Sequence, residues 1–193
     1  MREWVGRGVP LADPFDPALV RSAPREIRHT LADALAEEST ARALTALGIG
    51  YTVWHDVAVP GGRDHEKIDH VVLGPSGLFA VQSEDWGAPV AIRHGEIVGD
   101  GVDGQPLHSL AGNARSLGRS TRVRFGAAVV AVPDDAFDES FSVVGKSRGI
   151  PLVIAQRSFV PQLMRTGVPN AARPDGNELF EVRTRLQNGI RFV

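Results

Sequence analysis

The sequence has 193 residues and a formal net charge of −2. That length predicts one domain with a substantial core, and the small negative charge excludes a protein that attracts nucleic acid over its whole surface. The absence of cysteine excludes disulfide scaffolds, thiolate zinc sites and cysteine nucleophiles.

The first 24 residues contain four prolines among charged side chains. This composition predicts an irregular arm over residues 1–24, followed by a single domain over residues 25–193. The arm lacks the long apolar core of a signal peptide. No window of the sequence approaches the roughly 20 apolar residues of a membrane span. We therefore expect a cytoplasmic protein that does not contact a membrane.

The hydrophobic periodicity predicts alternating helices and strands after residue 24. A helix over residues 25–47 is followed by a strand over 51–59. Two further strands, 67–73 and 78–83, are joined by the turn Gly74-Pro75-Ser76-Gly77. The later predicted elements are a hairpin of 88–93 and 96–98, a helix over 106–122, strands over 125–132 and 152–155, and short helices near 158–164 and 177–188. This order predicts an α/β fold with a mixed central sheet flanked by helices.

A charged residue, Asp69, interrupts an apolar strand, and burying such a charge is costly unless it is paired. On the next strand Gln82 and Glu84 share one face, because side chains alternate along a strand. The hairpin between the strands brings Asp69 close to that pair. Three oxygen-bearing side chains would then form a pocket suited to a divalent metal ion. His70 is expected to point to the face opposite Asp69.

The stretch from Lys67 to Gly87 resembles the nuclease-related (NERD) domains, a family of the PD-(D/E)xK nuclease superfamily. The shared motifs are Ile68-Asp69-His70, the Gly-Pro-Ser-Gly turn, the apolar strand after it and Trp86-Gly87. Ala36-Glu37 stands where the family has Gly-Glu on its first helix, and the similarity covers roughly residues 31–163. The resemblance implies a restriction-endonuclease-like fold, DNA or RNA as a partner, and Mg²⁺ or Mn²⁺ as a cofactor.

The chain departs from the family pattern where Glu-x-Lys is replaced by Gln82-Ser83-Glu84. In the family pattern the carboxylates hold the metal, and the lysine orients the attacking water or stabilises charge on the phosphate. Gln82 offers only an uncharged oxygen, and Glu84 introduces an anion that repels a phosphodiester. The resemblance therefore implies a degenerate active site with weak or no phosphodiesterase activity. In that site Asp69, Gln82 and Glu84 are the predicted metal ligands, Glu37 lies in the outer part, and a site that binds no metal is the alternative.

Two other interpretations remain open at this point. In a rearranged site, Asp69, Glu84 and Glu37 hold a metal and Lys67 supplies the missing positive charge, provided that the strand is regular between Lys67 and Asp69. Alternatively, the chain is an inactive protein-interaction or structural module that binds a protein partner. The acidic net charge favours this second interpretation, and a shared fold does not decide activity.

Three arginines form a regular series on the predicted helix over 106–122. Arg115, Arg119 and Arg122 are spaced by four and three residues and therefore share one side of the helix. They are the predicted nucleic-acid-binding residues, since guanidinium groups bind the phosphate backbone. A solvated helix face is the simpler alternative.

Overall fold

The computed structural model of the chain describes residues 25–62, 66–169 and 171–193. The predicted arm of residues 1–24 lies outside these ranges. No helix within them is long and apolar enough to cross a membrane.

A six-stranded mixed sheet forms the centre of the structure, with the strand order β1-β2-β3-β6-β8-β7. The first three strands form an antiparallel meander, β3, β6 and β8 run parallel, and β7 is an antiparallel edge strand. The strands are β1 (Thr52–Ala58), β2 (Lys67–Gly74), β3 (Gly77–Ser83), β6 (Ala127–Val132), β7 (Phe141–Ser147) and β8 (Ile150–Gln156). The four middle strands are almost continuously apolar because both faces of the sheet are covered.

Four helices cover the sheet, two on each face. They are α1 (Arg25–Leu44), α2 (Pro106–Thr121), α3 (Val160–Thr166) and α4 (Gly176–Gly189). Helices α2 and α4 bury their apolar residues on one face, here called the α2 face. Helices α1 and α3 do so on the other, here called the α1 face. The predicted α/β fold with a restriction-endonuclease-like mixed sheet is confirmed.

A small second sheet, β4 (Val90–Arg93) with β5 (Glu96–Gly99), is attached to the start of α2. The residue before the helix, Gln105, makes no side-chain cap. Instead the buried carboxylate of Glu96 accepts hydrogen bonds from the backbone amides of Leu107 and His108, each at 3.1 Å. A carboxylate at a helix N-terminus satisfies free amides and complements the helix dipole. Glu96 therefore fixes the hairpin to the helix.

Most boundaries differ from the prediction by one or two residues, but β7 was not predicted. This strand is half-buried and contains a register irregularity between Val143 and Gly145. Edge strands and bulges lack the regular alternation on which sequence patterns depend. The predicted helix over 25–47 also ends earlier, because residues Thr45–Leu47 form a 3₁₀ turn.

Candidate active centre

The regular alternation of β1 and β2 is inverted at the end of the sheet where the predicted site lies. Trp54 and Val57 both pack on the α2 face, and so do Val71 and Ile68 of the neighbouring strand. Residues an odd number apart normally point to opposite faces. The inversion coincides with Asp56, whose backbone adopts a left-handed conformation with φ of 53°. It allows Asp56 and Lys67 to face α1 while the apolar residues beside them remain in the core.

The ammonium group of Lys67 lies at the middle of a carboxylate cluster. Its Nζ donates hydrogen bonds to Glu37 Oε2 of α1, at 2.7 Å, and to Asp56 Oδ1. It also lies 3.7 Å from Asp69 Oδ1. We call Lys67 together with Glu37, Asp56, Asp69 and Glu84 the Lys67 centre. The structure thus joins Glu37 and Asp69, both predicted site residues, through a lysine that the sequence left as an open alternative.

Opposed effects determine the charges of the groups that Lys67 contacts. Burial opposes the charge of Lys67, but its hydrogen bonds with Asp56 and Glu37 and the charge of Asp69 raise its pKa above the ordinary value. Burial also opposes ionisation of Asp56, yet the ion pair with Lys67 outweighs it and lowers the pKa of that carboxyl. Lys67 and Asp56 are therefore both charged at neutral pH.

Two carboxyls of the Lys67 centre, those of Asp69 and Glu84, hold protons unusually well. Burial raises the pKa of Asp69 to about 7; the hydrogen bond from Ser83 opposes this effect and the charge of Glu37 adds to it. Burial, with the charges of Asp33 and Asp69, also raises the pKa of Glu84 to about 7. Near neutral pH each of these two groups can bind or release a proton. Perturbed carboxyls of this kind are found at functional sites, although structural clusters also produce them.

Ser83, the middle residue of the Gln82-Ser83-Glu84 segment, links the two strands of the hairpin. Its backbone amide donates to Asp69 Oδ2 at 2.8 Å, and its Oγ lies 3.3 Å from His70 Nε2. Nδ1 of His70 lies 2.8 Å from Nδ1 of His55. Burial, together with the charges of His55 and Lys67, lowers the pKa of His70 to about 3, so its ring is neutral. The expectation that His70 points away from Asp69 is therefore wrong, since both side chains contact Ser83.

Gln82 stands apart from the Lys67 centre. It is directly opposite Val130 in the parallel pair β3–β6, and Val130 packs on the α2 face. Opposite residues of paired strands share a face, whereas Glu37 approaches from α1. In the described part of the chain, no hydrogen bond or ion pair joins Gln82 to Asp69 or Glu37. Its role as a neutral metal ligand stays a prediction.

The Lys67 centre does not fit a divalent metal ion as it stands. Within residues 25–62, 66–169 and 171–193, no three His, Asp or Glu side chains are arranged to hold one. The carboxylates of Glu37 and Asp56 already accept hydrogen bonds from Lys67. A metal bound by these carboxylates would have to displace a hydrogen-bonded ammonium.

The three predicted nucleic-acid-binding arginines lie at the other end of the sheet. Arg119 and Arg122 are exposed, and Arg115 is half-buried. Arg115 and Arg119 line one cavity, and Arg122 lines a neighbouring one. Arg122 ends α2 with a left-handed backbone, φ 58°, so it no longer continues the helical series.

Sequence reasoning missed Asp56 and Ser83. Asp56 appeared as one of the outward residues of an alternating strand, and only the pairing of His55 with His70 and Val57 with Ile68 places it opposite Asp69. Ser83 was treated as the variable position between two predicted ligands. Its contact with Asp69 is made by the backbone amide, which no side-chain pattern could indicate.

Comparisons with known proteins agree with this geometry. The nuclease-related domain (NERD) family matches residues 32–132, which is just over half of the chain and includes Glu37, all of β1 to β3 and the Gln82-Ser83-Glu84 segment. Neither a curated protein nor a solved structure matches the chain. The chain belongs to the nuclease-related domain family.

Proposed function

We propose that this chain is a nuclease-related domain that binds nucleic acid and has weak or no metal-dependent phosphodiesterase activity. The observation that carries the proposal is the position of Lys67 among the carboxylates of Glu37, Asp56 and Asp69. These are the groups that would otherwise supply negative charge to a divalent cation. An internal cation neutralises them instead.

The strength of this internal ion pair supports the loss of metal chemistry. Lys67 is held by two hydrogen bonds, and its pKa is raised above the ordinary value because its bonds with Asp56 and Glu37 outweigh the effect of burial. Its charge therefore persists throughout the neutral range. A divalent ion would gain the same carboxylates only by expelling a tethered cation, which cannot diffuse away.

The residues that replace Glu-x-Lys support the same conclusion. Gln82 faces away from Asp69, and Glu84 has a pKa raised to about 7 by burial and by the charges of Asp33 and Asp69. Neither supplies the positive charge that stabilises a phosphodiester transition state. Removing one such stabilising group commonly lowers the rate on the order of a hundredfold or more.

Nucleic acid binding is supported by arginines rather than by the Lys67 centre. The predicted residues Arg119 and Arg122 are exposed, and Arg115 and Arg119 line a cavity with Arg124 and Arg148 whose wall contains no aspartate or glutamate. Guanidinium groups bind phosphates independently of base sequence. We therefore expect binding that depends on salt and tolerates many sequences.

The test combines cleavage assays on single- and double-stranded DNA with calorimetric titration of Mg²⁺ and Mn²⁺. We expect the wild-type chain to cleave at the background rate and to release no binding heat with either metal. The variant Lys67→Met removes the internal cation and leaves the carboxylates of Glu37, Asp56 and Asp69 without their ammonium partner, so it should bind Mn²⁺ where the wild type does not. Metal-dependent cleavage by the wild type that disappears in Asp69→Ala would contradict the proposal.

A protein-interaction module on the same fold has less support. Apart from the adjacent Phe192 and Val193, the large exposed hydrophobic side chains of the described ranges belong to different segments: Leu35, Ile49, Val143 and Phe180. Apolar residues scattered singly are ordinary on a protein surface, whereas docking surfaces are contiguous.

A further inference from the structure

A cavity lies at the end of the sheet opposite the Lys67 centre. It has a volume of about 630 Å³ and is lined by four arginines, Arg115, Arg119, Arg124 and Arg148. We call it the arginine cavity. Its wall contains no aspartate or glutamate. A volume of this size suits a ligand as large as a nucleotide.

Three elements bring these arginines together. Helix α2 carries Arg115 and Arg119, the segment between α2 and β6 carries Arg124, and the turn between β7 and β8 carries Arg148. Gly126 forms the floor, where its amide donates to Leu78 O at 2.7 Å. A Cβ at this position would lie only 3.1 Å from Ala172 O. The glycine thus lets the backbone close the floor of the cavity without a side chain.

The arginines of the cavity have no ion pair within the described ranges. Like charges that converge without counter-charges repel one another. An anion in the cavity would relieve this repulsion.

The position of Arg148 adds an independent observation. Arg148 and Gly149 are the two central residues of a tight turn, and both have positive φ, 50° and 89°. Such turns favour asparagine, aspartate or glycine at the first position, because a longer side chain is strained there. A residue that local conformation disfavours is a pointer to function. Here the disfavoured residue carries one of the four charges of the cavity.

The end of a helix offers a simpler account of one of these residues. Arg119 lies in the last turn of α2, where a cation is stabilised by the negative end of the helix dipole. That dipole corresponds to only about half an elementary charge. It therefore cannot balance four guanidinium groups, and it does not explain Arg148.

We infer that the arginine cavity is a binding site for clustered phosphate groups. Planar guanidinium forks bind phosphate oxygens in pairs, and the apolar wall formed by Val123, Ile150 and Pro151 can receive an attached ring. Such phosphates are supplied by a nucleoside triphosphate or by the phosphorylated end of a nucleic acid strand. The cavity is separated from the Lys67 centre by the 7 residues of β3, or roughly 20 Å at about 3.3 Å per residue.

This inference deepens the proposed function, because it names a surface that would receive phosphates. It rests on that function only where the phosphate comes from nucleic acid. A cavity that binds triphosphate but no oligonucleotide would refute nucleic acid binding at this site and leave the cavity itself supported.

The test is calorimetric titration of the full chain, without divalent metals, at two salt concentrations. The probes are adenosine triphosphate, a 5′-phosphorylated single-stranded decanucleotide and the same decanucleotide with a 5′-hydroxyl. The variants are Arg124→Gln and Arg148→Gln, both at exposed positions that the fold does not need. The matched control is Arg93→Gln, an exposed arginine on β4 with the same change of charge.

We expect each cavity variant to weaken binding of at least one phosphorylated probe about threefold to tenfold at low salt and to reduce the slope of log K against log salt by about one. Arg93→Gln should change neither quantity. Preference for the 5′-phosphate over the 5′-hydroxyl would identify a strand end as the ligand, and tighter binding of the triphosphate would identify a nucleotide. Equal loss in Arg93→Gln and the cavity variants would overturn the inference, as would the absence of binding to every probe.

Discussion

The two ends of the parallel strands differ in the charges that they bring together. At the carboxyl end of β3, the ammonium of Lys67 lies within ion-pair distance of three carboxylates, those of Glu37, Asp56 and Asp69. At the other end, four arginines converge around a cavity whose wall has no carboxylate. The first cluster contains charges of both signs, whereas the wall of the cavity contains positive charges only.

This difference indicates which end of the sheet would gain more stability from a bound ligand. A buried charge cluster that is already paired and hydrogen-bonded gains little from an added ion. A concave, unpaired cluster is stabilised by any ligand that binds the folded state alone. At the end that carries the nuclease-like motif, the carboxylates of Glu37 and Asp56 are thus already paired with Lys67. The end that carries the predicted nucleic-acid-binding residues Arg115 and Arg119 is the one whose positive charges have no counter-charge in the cavity wall.

Removal of the Lys67 ammonium is expected to have the largest effect on stability. Lys67→Met leaves Glu37, Asp56 and Asp69 without their counter-charge. Breaking a buried pair costs roughly 3 to 5 kcal/mol. Because the Lys67 side chain is 27% exposed, solvent screening reduces this, and we expect a loss of about 2 to 3 kcal/mol in the free energy of unfolding at neutral pH. Urea denaturation measures it.

The matched control for this substitution is Lys146→Met, at an exposed position of β7. A surface change of this kind should stay within about 0.5 kcal/mol. The loss in Lys67→Met should also shrink at mildly acidic pH, where Asp69 and Glu84 become neutral. Equal, small effects of both substitutions would mean that the Lys67 centre does not depend on its ammonium group.

A smaller effect is expected from the protons held at this end. Burial raises the pKa of Asp69 from 3.8 and of Glu84 from 4.5 to about 7, and neighbouring carboxylates add to the effect. The folded chain therefore binds more protons than the unfolded chain between these values. Their contribution to stability is full below about pH 4 and is lost as the pH rises to about 7.

Asp69→Asn tests this contribution, because an amide oxygen can still accept the hydrogen bond from Ser83. The variant should lose most of the wild-type decline in stability between about pH 4 and 7. At pH 8 it should be more stable than the wild type by about 1 to 2 kcal/mol, since the unfavourable buried charge is absent. Thermal unfolding across this pH range gives both values. Asp103→Asn, an exposed change, should leave the decline intact; a decline that persists in Asp69→Asn assigns it to other groups.

Some elements of the fold could be predicted from the sequence and others could not, for physical reasons. The strands around the Gly74–Gly77 turn and helix α2 follow from regular periodicity and turn residues, and both are present within a residue or two of the prediction. Strand β7 was missed because an edge strand with a bulge has no regular pattern. Periodicity therefore predicted the layers of the fold, and the motif resemblance predicted the family to which the chain belongs.

The details of the sites depend on features that periodicity does not encode. Glu37 and Asp69 both lie beside Lys67, and the family motif specifies the positions of these two residues in the sequence. Asp56 joins them only through an inversion of the strand at a left-handed residue, and Gln82 is left on the other face. Arg148 reaches the arginine cavity from a turn far along the chain, so no local spacing could connect it with Arg115.

The smallest expected effect is a gain in stability at the arginine cavity. Arg148→Asn creates the Asn-Gly pair that a tight turn with two positive φ angles prefers. It should stabilise the fold by about 0.5 to 1 kcal/mol, since strain and repulsion among arginines both decrease. The same substitution should weaken binding of the phosphorylated probes, because it removes one charge from the cavity. Denaturation and calorimetry on one variant measure the two effects.

A second turn of the same form supplies the control. His94 and Gly95, between β4 and β5, also have positive φ, 52° and 76°, and neither lines the arginine cavity. His94→Asn should therefore stabilise the chain to a similar extent and leave phosphate binding unchanged. If both substitutions stabilise and neither affects binding, Arg148 is merely a poor turn residue. If both substitutions stabilise the chain and only Arg148→Asn weakens phosphate binding, the strained arginine is retained for its ligand. The end of the sheet that carries the arginine cavity is then the functional one.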